Sequence, residues 1–117
     1  MKELTTEEQY EYFEETFNKF NTTLLNQTDD DIEYIIFEDI IDNVVSFLHP
    51  IVIDKLLDEK YINKEVYDLC CYFRKLFLEL EEKSLRSATE VRKSKEWLDL
   101  MKLADEIKNK LWRLYYE

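Results

Sequence analysis

A chain of 117 residues with no glycine and one proline is poorly suited to hairpin-rich sheets, P-loops or dinucleotide folds, which lean on glycine for positive φ and close approach to phosphate. Apolar residues at 45% and aromatics at 15% suffice for one domain with its own core, residues 1–117, and argue against disorder. The formal net charge of −11 disfavours nucleic acid and anionic membrane as direct partners and favours a basic protein.

The acidic start "MKELTTEEQYEYFEE" lacks the positive n-region of a secretion signal. No apolar run approaches the length of a membrane span. Cys70 and Cys71 are adjacent and are the only cysteines, so neither a disulfide framework nor a C-x-x-C site is expected. The chain reads as cytoplasmic, with reduced thiols and without metal or cofactor.

"TTEE" predicts a capping box, Thr5 with Glu8, opening a first helix from Thr6 to about Leu25. Tyr10, Phe13, Phe17, Phe20 and Leu24 form its apolar stripe, and Glu7, Glu8, Glu11, Glu14 and Glu15 a carboxylate arc beside it. "NQTDDD" predicts a turn with Asp30 or Asp31 as N-cap of a second helix, about Ile32 to Leu48. Its ten apolar residues, from Ile32 to Leu48, cover most of the circumference and predict a central position. Glu38, Asp39, Asp42 and Ser46 form the polar strip, with Asn43 at the edge.

Pro50 suits the first turn of a short helix to about Glu59. Asn63 is placed to cap a long helix to about Glu82, with Val66, Leu69, Cys70, Phe73, Leu76, Phe77 and Leu80 at period 3.6. Ser87 and Glu90 repeat the capping-box pattern for one short turn. Ser94 is placed to cap the last helix, whose core face is Trp97, Leu100, Met101, Ala104, Ile107, Leu111 and Tyr115. The expected fold is all-α: a compact bundle of four main helices plus one or two short ones.

No residue pattern points to catalysis. His49, the only histidine, precedes Pro50 at a corner and is expected to be a hydrogen-bonded corner or a cation at a helix C-terminus. Zinc sites need several ligands, and the Glu-x-x-His pairs of di-iron bundles are missing. Asp29–Asp31 lack the glycine and terminal glutamate of a calcium loop.

The charge, in contrast, is concentrated. Residues 1–62 hold sixteen acids and four bases, a balance of −12; residues 63–117 hold eleven acids and twelve bases. Like charges at i, i+3 and i+4 on the first helix cost a few tenths of a kcal/mol each, a cost that a basic partner would remove. Glu11, Glu14, Glu15, Asp29, Asp30, Asp31, Glu38, Asp39 and Asp42 are therefore the candidate partner-binding acids, with Tyr12 and Tyr34 as anchors.

From residue 47 to 112 the chain runs "FLHPIVIDKLLDEKYINKEVYDLCCYFRKLFLELEE" and then "ATEVRKSKEWLDLMKLADEIKNKLW". This cadence resembles the small helical immunity proteins of bacterial polymorphic-toxin and contact-dependent growth inhibition systems. The resemblance implies a cytoplasmic protein that binds one cognate toxin domain and blocks it without catalysis. It transfers no binding residue, because such proteins share no fixed binding motif. Many such toxins are nucleases with phosphate-holding basic clefts, which an acidic face on the first two helices would cover. An acidic regulator that mimics nucleic acid, occupying a DNA- or RNA-binding protein, is the alternative. A small enzyme built on His49 or a carboxylate pair is the third reading.

Overall fold

Helices account for the whole architecture. The computed structural model describes residues 3–116 and the side chains of residues 3–114, and it contains no strand among them. Tyr115, expected on the core face of the last helix, lies outside the described side chains. The order is α1 (Thr6–Lys19), a 3₁₀ turn (Thr22–Asn26), α2 (Asp29–Tyr34), a π-helical segment (Ile35–Ile40), α3 (Ile41–Phe47), α4 (Pro50–Asp58), α5 (Lys64–Lys83), α6 (Ala88–Lys93) and α7 (Lys95–Tyr116). The all-α bundle expected from the sequence is the fold observed.

Helix α1 begins with the Thr5–Glu8 capping box, both of its hydrogen bonds in place. It stops at Lys19, well short of Leu25. Asn21 ends it: the Asn21 amide donates to the Phe17 carbonyl at 2.8 Å, and its Oδ1 accepts from the Thr23 backbone at 2.9 Å. An asparagine that offers the backbone both a stop and a new start competes with helix continuation. Asp105 of α7 accepts from the Thr22 amide at 3.2 Å and hydroxyl at 2.6 Å, so the 3₁₀ turn is also tied to the far end of the chain.

The second rod begins one turn earlier than its acids suggest. Thr28, not Asp30 or Asp31, is the N-cap, with its hydroxyl accepting from the Asp31 amide at 3.2 Å. The three aspartates fill the first turn, where the helix dipole favours them.

This rod contains a π-helical segment that the sequence reading did not anticipate. Ile32, Ile36, Ile40, Val44 and Leu48 are all 0% exposed, and they recur every four residues. In a regular α-helix a period-four row drifts by about 40° per step, so roughly 160° over five positions. One flank would then leave the core. A segment with i→i+5 hydrogen bonds holds more than four residues per turn and rotates the row back. The same correction keeps Asp30, Tyr34, Glu38, Asp42 and Ser46, also spaced by four, on the solvent side. The π turn thus places the acidic row.

At the α3–α4 corner His49 is the N-cap of α4, its Nδ1 accepting from the Ile51 amide at 3.2 Å, and Pro50 occupies N1. His49 is thus a hydrogen-bonded corner that caps the start of α4.

Helix α4 ends in a Schellman turn: the Tyr61 amide reaches the Leu56 carbonyl at 2.8 Å, and Lys60 adopts φ 66°. Glycine is the usual residue there, because a Cβ in the left-handed region carries a penalty. Lys60→Gly is expected to stabilise the fold by about 1 kcal/mol, read as a higher urea midpoint with unchanged m-value. A lower midpoint would show that the Lys60 side chain itself holds the turn.

Helix α5 is capped as expected, Asn63 Oδ1 accepting from the Val66 amide at 2.9 Å. Its Tyr67 hydroxyl donates to Asp54 of α4, and this bond pushes the phenol pKa up from 10.0 to about 12. The neutral phenol is thereby favoured in the folded state. Its contribution to stability is full below the unfolded pKa near 10 and is lost as pH rises through about 12. In a tyrosinate absorbance titration, Tyr67→Phe should remove a component that ionises near pH 12; loss of a component near pH 10 instead would contradict this bond.

Helix α6 departs from the predicted capping box. Ser87 makes no side-chain cap, and Glu33 of α2 accepts from the Ala88 amide at 2.8 Å instead. Glu90 turns back to the Ser84 hydroxyl and the Leu85 amide. Ser94 caps α7 as expected, accepting from the Trp97 amide at 3.2 Å.

One core joins these elements. Trp97 meets Phe20 at 6.2 Å, Phe37 at 5.8 Å and Phe77 at 5.8 Å, each edge to face, and Phe17 meets Phe73 at 5.2 Å. Edge-to-face geometry suits aromatic quadrupoles. Cys70 belongs to this core, where burial pushes its thiol pKa up, away from thiolate reactivity. Cys71 is exposed.

Candidate protein-binding surface

The candidate face is built on α1 and the α2–α3 rod. These two rods run antiparallel along a ladder of three side-chain contacts. Tyr12 stacks on Phe47 with ring centroids 4.8 Å apart. Glu15 accepts from the Asn43 amide at 3.3 Å. Lys19 reaches Asp39 at 2.9 Å and Glu15 at 3.3 Å. The hydrogen bond to Asp39, ahead of a smaller opposing desolvation, raises the Lys19 pKa, and Glu15 adds to it. Asp39 and Asn43, expected in the solvent strip, are turned into this seam.

The candidate acids consequently fall into different circumstances. Glu15 and Asp39 are paired with Lys19. Asp29 is paired with Arg92 at 2.8 Å, and the same guanidinium donates to the Leu25 and Gln27 carbonyls at 2.8 and 2.7 Å. Those contacts lock α6 onto the start of α2, which makes Asp29 a structural residue. Glu14 accepts from the Tyr10 hydroxyl at 3.5 Å. Glu11, Asp30, Asp31, Glu38 and Asp42 are exposed and form no ion pair among the described residues. Tyr34 is 58% exposed within their row, and Tyr12 is 42% exposed despite its stacking.

Comparison with known proteins returned nothing: no family model matches the chain, and neither a curated protein nor a solved structure is significantly similar to it.

No three His, Cys, Asp or Glu side chains among the described residues are grouped to hold a metal ion. No helix among them is long and apolar enough to cross a membrane. What the arrangement offers chemically is an exposed row of negative charge with Tyr12 and Tyr34 beside it. Two features escaped the sequence reading. Lys19 sits between two acidic rods and neutralises their shared edge. A groove on the other flank of α1 places Glu7, Glu11 and Glu14 together with Lys60 and Lys108. The first needed the pairing of α1 with α3. The second needed the return of α7, forty residues and more beyond α4.

Proposed function

We propose that this protein is an immunity-type inhibitor: it binds a cognate, basic, nuclease-like toxin domain through the outer face of α1 and the α2–α3 rod, and acts by covering it and not by catalysis. One observation carries the reading. Five exposed carboxylates, Glu11, Asp30, Asp31, Glu38 and Asp42, form no ion pair among the described residues, on a chain that holds twelve bases in its second half. Glu38 and Asp42 stand at i, i+4, and so do Glu7 and Glu11, arrangements that cost about 0.2–0.5 kcal/mol per pair in isolated helices. A basic partner would remove that repulsion and gain from it.

The division of labour follows from general interface physics. Unpaired surface acids steer encounter and raise the association rate. Slow release requires desolvated anchors, and Tyr34 and Tyr12 are the aromatic side chains placed among the acids. The α1–α3 ladder keeps both rods in register, so little ordering accompanies binding.

The reading is tested against the cognate toxin domain that it calls for. Co-expression should abolish its toxicity, and the purified proteins should elute as a one-to-one complex. Persisting toxicity, with both proteins folded and eluting apart, would overturn it.

A further inference from the structure

The groove on the far flank of α1, closed by the α4–α5 turn and the end of α7, has a volume of ≈ 1010 Å³. Glu7, Glu11 and Glu14 contribute negative charge from α1. Lys60 and Lys108 contribute positive charge from the turn and from α7. None of these five forms an ion pair within 4 Å among the described residues. The acids come from α1 and the lysines from the turn and α7, on different elements of the groove wall. Tyr61 and Leu111 add apolar lining.

Lys60, the left-handed residue that closes α4, is among the residues that line the groove.

We propose that this groove seats an amphipathic segment of the partner protein: basic side chains against Glu7, Glu11 and Glu14, an acidic side chain against Lys60 and Lys108, and bulky apolar side chains between. The inference rests on the protein-binding reading above and adds a second contact area to it. A second copy of this chain is disfavoured as the occupant by the −11 charge each copy carries.

The probe is a synthetic helical peptide of about 14 residues, roughly four turns, with lysines along one edge, glutamates along the other and leucines between. Titrated into ¹⁵N-labelled protein, it should give saturable amide shifts confined to residues 7–18, 60–63 and 108–114. Glu11→Lys and Lys60→Gly should each weaken it about three- to fivefold. Lys60→Gly should do so while raising Tm, which separates lost contact from lost fold. Glu82→Lys, on the exposed end of α5, should change nothing. No saturable shift up to about 1 mM, the weak limit of specific recognition, would overturn the proposal. So would shifts mapping elsewhere, or concentration-dependent self-association through the groove. If the peptide fails while the toxin domain still binds, only this inference falls. If the peptide binds the groove but the toxin domain does not bind, the immunity reading falls and the groove stands.

Discussion

Replacing Glu11, Glu38 and Asp42 together by lysine is expected to slow association with the toxin domain about 10- to 100-fold at low ionic strength. The substitution moves the formal charge from −11 to −5 and removes three acids with no ion-pair partner among the described residues. The fold should survive, because all three side chains are exposed. Tm should stay close to the wild-type value, since the Glu7/Glu11 repulsion becomes an attraction while the pair at positions 38 and 42 only exchanges one like-charge repulsion for another. Stopped-flow measurement at low salt and again at about 0.5 M, where the Debye length is only a few Å, should show the difference collapsing. A triple variant that associates at the wild-type rate in low salt would remove this face from the binding mechanism.

Trp97→Ala is expected to cost about 3–5 kcal/mol, the range for large aromatic truncations in cores. Small domains have about 5–15 kcal/mol in total, so the variant should be marginal at 37 °C. The indole is 1% exposed and meets rings from three other parts of the chain: Phe20 just after α1, Phe37 in the π segment and Phe77 in α5. Its removal opens a cavity that these rigid helices collapse into only in part. Urea unfolding should show the midpoint falling sharply. A loss below about 1 kcal/mol would mean that the aromatic centre is not where the bundle is held together. Tyr34→Ala, on the exposed acidic row, should by contrast alter stability by no more than about 0.5 kcal/mol and act on release of the partner.

Features encoded within a few residues were legible before the structure. The Thr5 capping box, Pro50 at N1, and the Asn63 and Ser94 caps depend only on neighbours, and each occurs as the sequence pattern implies. The end of α1 was misjudged because the apolar stripe continues through Phe20 and Leu24, while Asn21 decides the backbone. The π segment stayed hidden because ten apolar residues spread over most of the circumference mask a row whose period is four. The sequence signal was present in Ile32, Ile36, Ile40, Val44 and Leu48, and it was read as a wide apolar face.

Most of what distinguishes one acid from another lay beyond the sequence. Glu33 caps α6 from 55 residues away, Asp29 is paired across 63, and Asp105 holds the 3₁₀ turn across 83. A run such as "TDDDIEYIIFEDIIDN" presents its carboxylates as equals. Tertiary packing then assigns Asp29, Glu33 and Asp39 to holding the fold and leaves Asp30, Asp31, Glu38 and Asp42 to solvent.

The most direct test of the acidic face is its footprint on the bound toxin domain. ¹⁵N-labelled protein saturated with that domain should show its largest amide shifts at Glu11, Tyr12, Tyr34, Glu38 and Asp42, with the outer faces of α5 and α6 undisturbed. A footprint centred on residues 63–110, leaving α1 and the α2–α3 rod at their free positions, would contradict it.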